Sequence, residues 1–228
     1  MKKVITLLFV CSIILSACTT TVPLTKSVAY SKLYEEKPVA ILLMPPVNRS
    51  TAVDAKEYFH ATLNIPIANA GYYVIPPFIS MEILKQESAY DSELFLNVPL
   101  NKFREVFGAD LALFTIIHKW DKNSISANVY VEVEYIFKSL KTNEIVYQRK
   151  GSITCNTSVS THIGGVWGFV ADLAVSAINT AATKYVDVAK VCNSYTFSDL
   201  PAGKYSPKFG ADGEEDAGKK EFKDYIKM

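Results

Sequence analysis

The chain has 228 residues, 49% of them hydrophobic and 12% aromatic, with a formal net charge of +1. This composition supplies a packed core and excludes a globally disordered chain, and the near-neutral balance excludes the basic field that nucleic-acid binding requires. The length suits one ordinary domain with tails rather than two domains.

At the N-terminus, Lys2 and Lys3 precede an apolar run from Val4 to Leu15 that is too short to span a bilayer as a permanent helix. Leu15-Ser16-Ala17-Cys18 closes the run and resembles a bacterial lipobox, in which the cysteine thiolate takes a diacylglycerol, the chain is cut before it and the new amine is acylated. Residues 1–17 are expected to leave as a lipoprotein signal peptide, with Cys18 as the lipidated first residue. The alternative is an ordinary cleavable signal that happens to contain a cysteine. Beyond the signal no uninterrupted apolar stretch of about 18 residues follows, so no second membrane span is expected. Thr19 stands where an Asp commonly signals inner-membrane retention in Gram-negative bacteria, which favours the outer membrane. Residues 18–37 are polar and broken by Pro23, and read as a tether.

A globular domain is expected over residues 38–198. Val39 to Met44 is a continuous apolar run closed by Pro45-Pro46, suited to a strand buried on both faces. Asp54 can cap a helix carrying Ala55, Tyr58, Phe59, Leu63 and Ile67 at helical spacing, which Pro66 should kink or end. Tyr72 to Ile75 forms a second strand, Ile79 to Gln86 a helix, and Pro99 to Gly108 another, with Phe103, Val106 and Phe107 as its stripe. Leu111 to Ile117 is a third apolar strand. From Ile125 to Phe137 the pattern alternates, with Val129, Val131, Val133 and Tyr135 against Tyr130, Glu132 and Glu134, the mark of a half-exposed antiparallel strand. Lys141 to Glu144 turns it into a hairpin partner, Ile145 to Thr154, so the sheet should be mixed. Gly164, Gly165 and Gly168 precede a long packing helix from Val166 to Ala189, and a short strand is expected near Tyr195-Thr196-Phe197. Residues 199–228 carry 13 charged residues in 30 and are expected as a disordered tail, with Lys219 to Lys227 as a short helix that docks on a partner. The fold class expected is α/β (α+β): one domain with a mixed sheet of about five strands packed by helices.

Candidate chemistry is sparse. Cys155 and Cys192 remain after Cys11 leaves and Cys18 is lipidated, an even pair in an oxidising compartment. They are expected as a disulfide, which would close a 38-residue loop from 155 to 192 and contribute roughly 3 to 4 kcal/mol; the alternative is two free buried thiols. His60, His118 and His162 have no metal-ligand spacing, so no metal or cofactor is expected. His60 reads as solvated. His118, beside Asp121, reads as a rim histidine, with a catalytic base as the alternative. Glu132 and Glu134 share one strand face, where a retaining hydrolase would set two carboxylates across a cleft; a solvated face is the simpler reading. Trp167 and Phe169 read as core, or as a contact with membrane or partner.

The stretch Val39 to Ser50, with Asp54-Ala55-Lys56-Glu57-Tyr58 and Gly71 to Pro76, resembles a family of uncharacterised bacterial outer-membrane lipoproteins that includes neisserial surface-antigen candidates. The resemblance covers about residues 18–198. It implies a fold like the N-terminal domain of TolB and the periplasmic domain of the curli-secretion channel lipoprotein. It also implies association with envelope assembly or transport, and it assigns no catalytic residues. The expected function is a lipid-anchored, non-enzymatic periplasmic protein of the outer membrane. Its membrane contact is the lipid on Cys18, and its partner an envelope lipoprotein or further copies of itself. A hydrolase near His118 and Asp121, or a surface antigen or adhesin, are the alternatives.

Overall fold

Apolar side chains at every position from Val39 to Met44 demand cover on both sides, and β1 (Ala40–Leu43) is buried along its whole length. The computed structural model describes residues 24–123, 125–157 and 181–228. Ahead of β1 lie two short helices, α1 (Lys26–Ala29) and α2 (Ser31–Glu36). After it come β2 (Val47–Asn48), α3 (Ala55–Asn69), β3 (Tyr73–Val74), α4 (Pro77–Gln86) and α5 (Asn101–Phe107). The long strands β4 (Leu111–Asn123), β5 (Asn128–Ser139) and β6 (Ile145–Asn156) follow, then α6 (Ala181–Phe197) and β7 (Glu221–Lys227).

These strands form one mixed seven-stranded sheet in the order β3-β1-β4-β5-β6-β7, with β2 pairing β4 off that path. β1 runs parallel to β3 and β4, β5 is antiparallel to β4 and β6, and β7 is parallel to β6. The expected class holds; the strands beyond five are the two-residue β2 and the C-terminal β7.

The pleat sends alternate residues to two cores. On one face Ile41, Leu43, Leu113, Val133, Tyr135 and Phe137 pack under α3 and α6; on the other Leu42, Met44, Ala112 and Phe114 pack against Leu84 of α4 and Phe103 and Phe107 of α5. A polar link locks the first layer. Asn193 of α6 accepts from Tyr135 Oη and donates to Thr62 Oγ1 at 2.8 Å and to the Phe59 carbonyl at 3.2 Å. This fully buried amide ties α3, α6 and β5 in one register. Opposite, Lys138 is buried with Nζ donating to the carbonyls of Leu96 at 3.0 Å and Val98 at 2.8 Å, which fixes the loop before α5.

Three expectations are corrected and a fourth is narrowed. Residues 26–36, part of the stretch 18–37 read as tether, form α1 and α2, and Leu33 of α2 and Tyr30 between the two helices enter the larger core. Of the two effects expected of Pro66, ending the helix does not occur, since α3 runs to Asn69. Tyr195-Thr196-Phe197 is the last turn of α6 and not a strand, because Phe197 packs against Tyr135, Phe137 and Tyr147. Residues 199–228 are no disordered tail: they close over the domain and end in β7, with no helix at 219–227.

Charge pairing explains how so polar a segment is held. Asp199 accepts from Tyr30 Oη and from the Gly218 amide at 2.6 Å, with Arg149 Nε 3.9 Å away. Asp212 accepts from Tyr34 Oη at 2.9 Å and the Ala202 amide at 2.8 Å, and faces Lys26 at 3.7 Å. Lys26 in turn reaches Glu215 at 2.9 Å. Main-chain bonds from Lys26 N to Glu215 O and from Ala217 N to Leu24 O join the first described residues to the C-terminal segment in a seam. Gly71 and Gly203 cross so closely that a Cβ on either would meet backbone within 3 Å.

Candidate functional site: the open face of the sheet

Among the described residues, α4, α5 and the loop between them pack on the part of their sheet face that carries Leu42, Met44, Phe114 and Ile136. Farther along, the same face carries polar side chains: Glu132 and Glu134 of β5, Gln148 and Lys150 of β6. They alternate with the buried Val131, Val133 and Tyr147 on the helix side. β4 joins this face through an irregularity. The pairing shifts between Ile117 and Lys119, so that Lys119 stands opposite Glu132 and His118 becomes the extra residue. Such a bulge re-aims a side chain, and His118 turns to the polar side.

There His118 Nε2 lies 2.9 Å from Glu134, whose other oxygen accepts from Gln148 Nε2 at 2.5 Å. Lys150 sits 2.6 Å from Glu132. Burial raises the Glu134 pKa, but the hydrogen bonds from His118 and Gln148 outweigh it and hold the carboxyl below its usual range. Glu132 is also lowered, first by its hydrogen bond from Lys150. Both carboxylates are therefore anionic and paired on a partly exposed polar surface. Such a row of fixed, alternating charge can align the polar groups of a docking macromolecule.

Of the predicted residues, the fold brings His118 to Glu134, not to Asp121, which pairs instead with Lys119 at 3.1 Å. Glu132 and Glu134 are neighbours on one strand, each held by a group from the adjacent strands, and do not oppose each other across a cleft. Gln148 and Lys150 were not singled out by the sequence; the alternation of β6 with the polar positions of β5 was the available signal.

Cys155 and Cys192 are both free thiols in this structure, so the expected disulfide is not formed in it. They are neighbours nonetheless. Burial pushes the Cys192 thiol well up, helped by a hydrogen bond to the Cys155 thiol beside it. His60 is half-buried rather than solvated, and burial lowers its pKa. Among the described residues no group of three or more His, Cys, Asp or Glu side chains could hold a metal ion, and no helix is long and apolar enough to cross a membrane. Cys18, His162, the Gly164 to Gly168 joint, Trp167 and Phe169 lie outside the described residues.

Three comparisons bear on this architecture. The family model "Putative lipoprotein GNA1162-like" matches residues 28–204. The protein named "Putative lipoprotein NMB1124/NMB1162" of Neisseria meningitidis serogroup B (strain ATCC BAA-335 / MC58) is 31% identical over 91 residues, 40% of this chain. The aligned part spans 42% of that relative's length. The crystal structure of lipoprotein GNA1162 from Neisseria meningitidis has a TM-score of 0.50 at 23% identity, over 60% of this chain and 96% of that one. That likeness is one of fold.

Proposed function

Because the chain belongs to the GNA1162-like lipoprotein family over residues 28–204, we propose that it is a lipid-anchored, non-enzymatic accessory subunit of an outer-membrane assembly or secretion complex. The acyl chains on Cys18 hold it to the outer membrane, and the domain faces the periplasm. Its partner is a channel-like envelope lipoprotein. The observation that carries this reading is the polar part of the sheet face, where His118, Glu132, Glu134, Gln148 and Lys150 form an array of paired, partly exposed polar groups beside a covered core. A polar sheet face with satisfied charges suits protein docking, in which such groups set register and partner choice more than raw affinity.

Cross-linking of intact cell envelopes followed by affinity capture tests it. Recovery of a channel-like lipoprotein, reduced when Glu132 and Glu134 are both replaced by Lys, is the expected result. Repeated capture of this chain alone would argue against the proposal.

The hydrogen bond between His118 and Glu134 favours a second reading, an envelope hydrolase with His118 as its base. Turnover of envelope polymers by the purified protein, lost in His118→Ala, would establish it. No turnover by the wild type would end it.

A further inference from the structure

We propose that the outer edge of β7 is a self-recognition surface, at which two copies of this chain join by antiparallel pairing of their Glu221–Lys227 strands about a two-fold axis. Lys150 N donates to Lys220 O at 2.8 Å, and Met228 N donates to Asn156 O at 3.0 Å. The N–H and C=O of one residue point to the same side of a strand, and successive residues alternate. The even-numbered residues from 220 to 228 are therefore turned towards β6. Glu221, Lys223, Tyr225 and Lys227 present their main-chain groups outwards. β7 is the last strand on this side of the sheet among the described residues. A row of outward N–H and C=O groups over a strand of 7 residues is a ready template for another strand.

The sequence of the strand selects both the partner and the register. Antiparallel pairing must set outward residues opposite outward residues, so allowed registers of a self-pair differ in steps of two. With Asp224 on the axis, Glu221 stands opposite the partner's Lys227 and Lys223 opposite the partner's Tyr225. On the helix side Phe222 meets the partner's Ile226. Every pair but the central one is then complementary: charge to charge, cation to aromatic ring, apolar to apolar. One step either way sets Lys223 opposite its own copy or opposite the partner's Lys227. The one unfavourable pair is Asp224 with its copy, and that carboxylate already accepts from Tyr195 Oη.

The side chains of these residues are accessible for such contacts: Glu221, Lys223, Tyr225 and Lys227 are exposed, Tyr225 at 58%. Lysines on an edge normally discourage pairing with foreign strands; here the same lysines are complemented by a second copy. The strand lies beyond residue 204, where the family match stops, so this surface belongs to the C-terminal extension of this chain.

Native mass spectrometry of the full chain released from detergent, over a micromolar concentration series, measures the association. The wild type is expected as a dimer. Glu221→Lys and Lys227→Glu each turn two attractive cross-strand pairs into two repulsive ones and should weaken the dimer about tenfold or more. The double variant E221K/K227E restores both pairs with their signs exchanged and should regain the wild-type affinity. Both positions are exposed, and an unchanged circular-dichroism melt confirms that the fold survives each change. A wild type that stays monomeric throughout overturns the proposal. So does a dimer that neither single variant weakens, or one that the double variant fails to restore.

Discussion

Gly151 shows how one missing side chain decides where the C-terminus goes. A Cβ at this position would lie 2.5 Å from the Phe222 ring, so glycine lets that ring sit over its backbone as β7 pairs with β6, and a larger residue would force the ring to shift. The Arg149 guanidinium, 4.6 Å from the ring centroid, completes the slot. Replacing Gly151 by Val should overpack the slot and cost about 1–3 kcal/mol of stability. Faster amide exchange in residues 221–227 and a lower melting temperature are the expected signs, and an unchanged β7 would show that Phe222 is not its anchor. Cys155 and Cys192 make the second residue-scale case. Two buried thiols in contact need only a two-electron oxidant, such as a disulfide-donating oxidoreductase, to close the bridge. Non-reducing mass spectrometry of protein taken from an oxidising envelope is expected to find Cys155 joined to Cys192; both thiols recovered free would sink the disulfide.

Among the elements, the seam made by residues 199–218 with α1 and α2 depends in part on the Glu215 carboxylate. Hydrogen bonds to Glu215 from Lys208 and then Lys26 lower its pKa from 4.5 to about 2. A carboxyl whose folded pKa is depressed stabilises the fold above its unfolded value, and that contribution is lost as pH falls through the folded one. Between pH 4.5 and about 2 the seam should therefore loosen. Its half-exposed position keeps the effect modest. Protection factors of residues 204–218, with the intrinsic pH dependence of exchange divided out, should fall across this window while those of β4 and β5 hold, and Glu215→Gln should flatten the response. Constant protection of 204–218 down to pH 2 would mean that Glu215 does not hold the seam.

How much of this the sequence disclosed follows from where each element finds its partners. β1, β4 and the β5–β6 hairpin were legible because their apolar runs and alternation are local. β7 was not: Phe222, Tyr225 and Ile226 fall at helical spacing, and the parallel β6 edge that makes the segment a strand is distant in sequence. The charges of residues 199–218 read as solvated because nothing nearby in sequence reveals that Asp199 meets Tyr30 or that Asp212 meets Tyr34. On the candidate site, His118 and both glutamates were visible, but the bulge that pairs His118 with Glu134 instead of Asp121 has no local signature.

For the whole molecule, the decisive quantity is how firmly the domain is held to a membrane. In the lipid-anchored form proposed above, several acyl chains on Cys18 would anchor far more strongly than the marginal binding of one, at about 0.8 kcal/mol per buried CH₂. Cys18→Ala is expected to release the protein from membranes on fractionation. A variant that still sediments wholly with membranes would show that the lipid is not the main anchor.

The seam also sets an order in time. A chain is made, and threaded through any pore, from its first residue to its last, yet Lys26 is bonded to Glu215 across 189 positions of sequence. α1 and α2 thus arrive early and stay unfinished until Ala217 and Glu215 have followed through. These two helices are delivered early and locked last, so closure cannot outrun delivery.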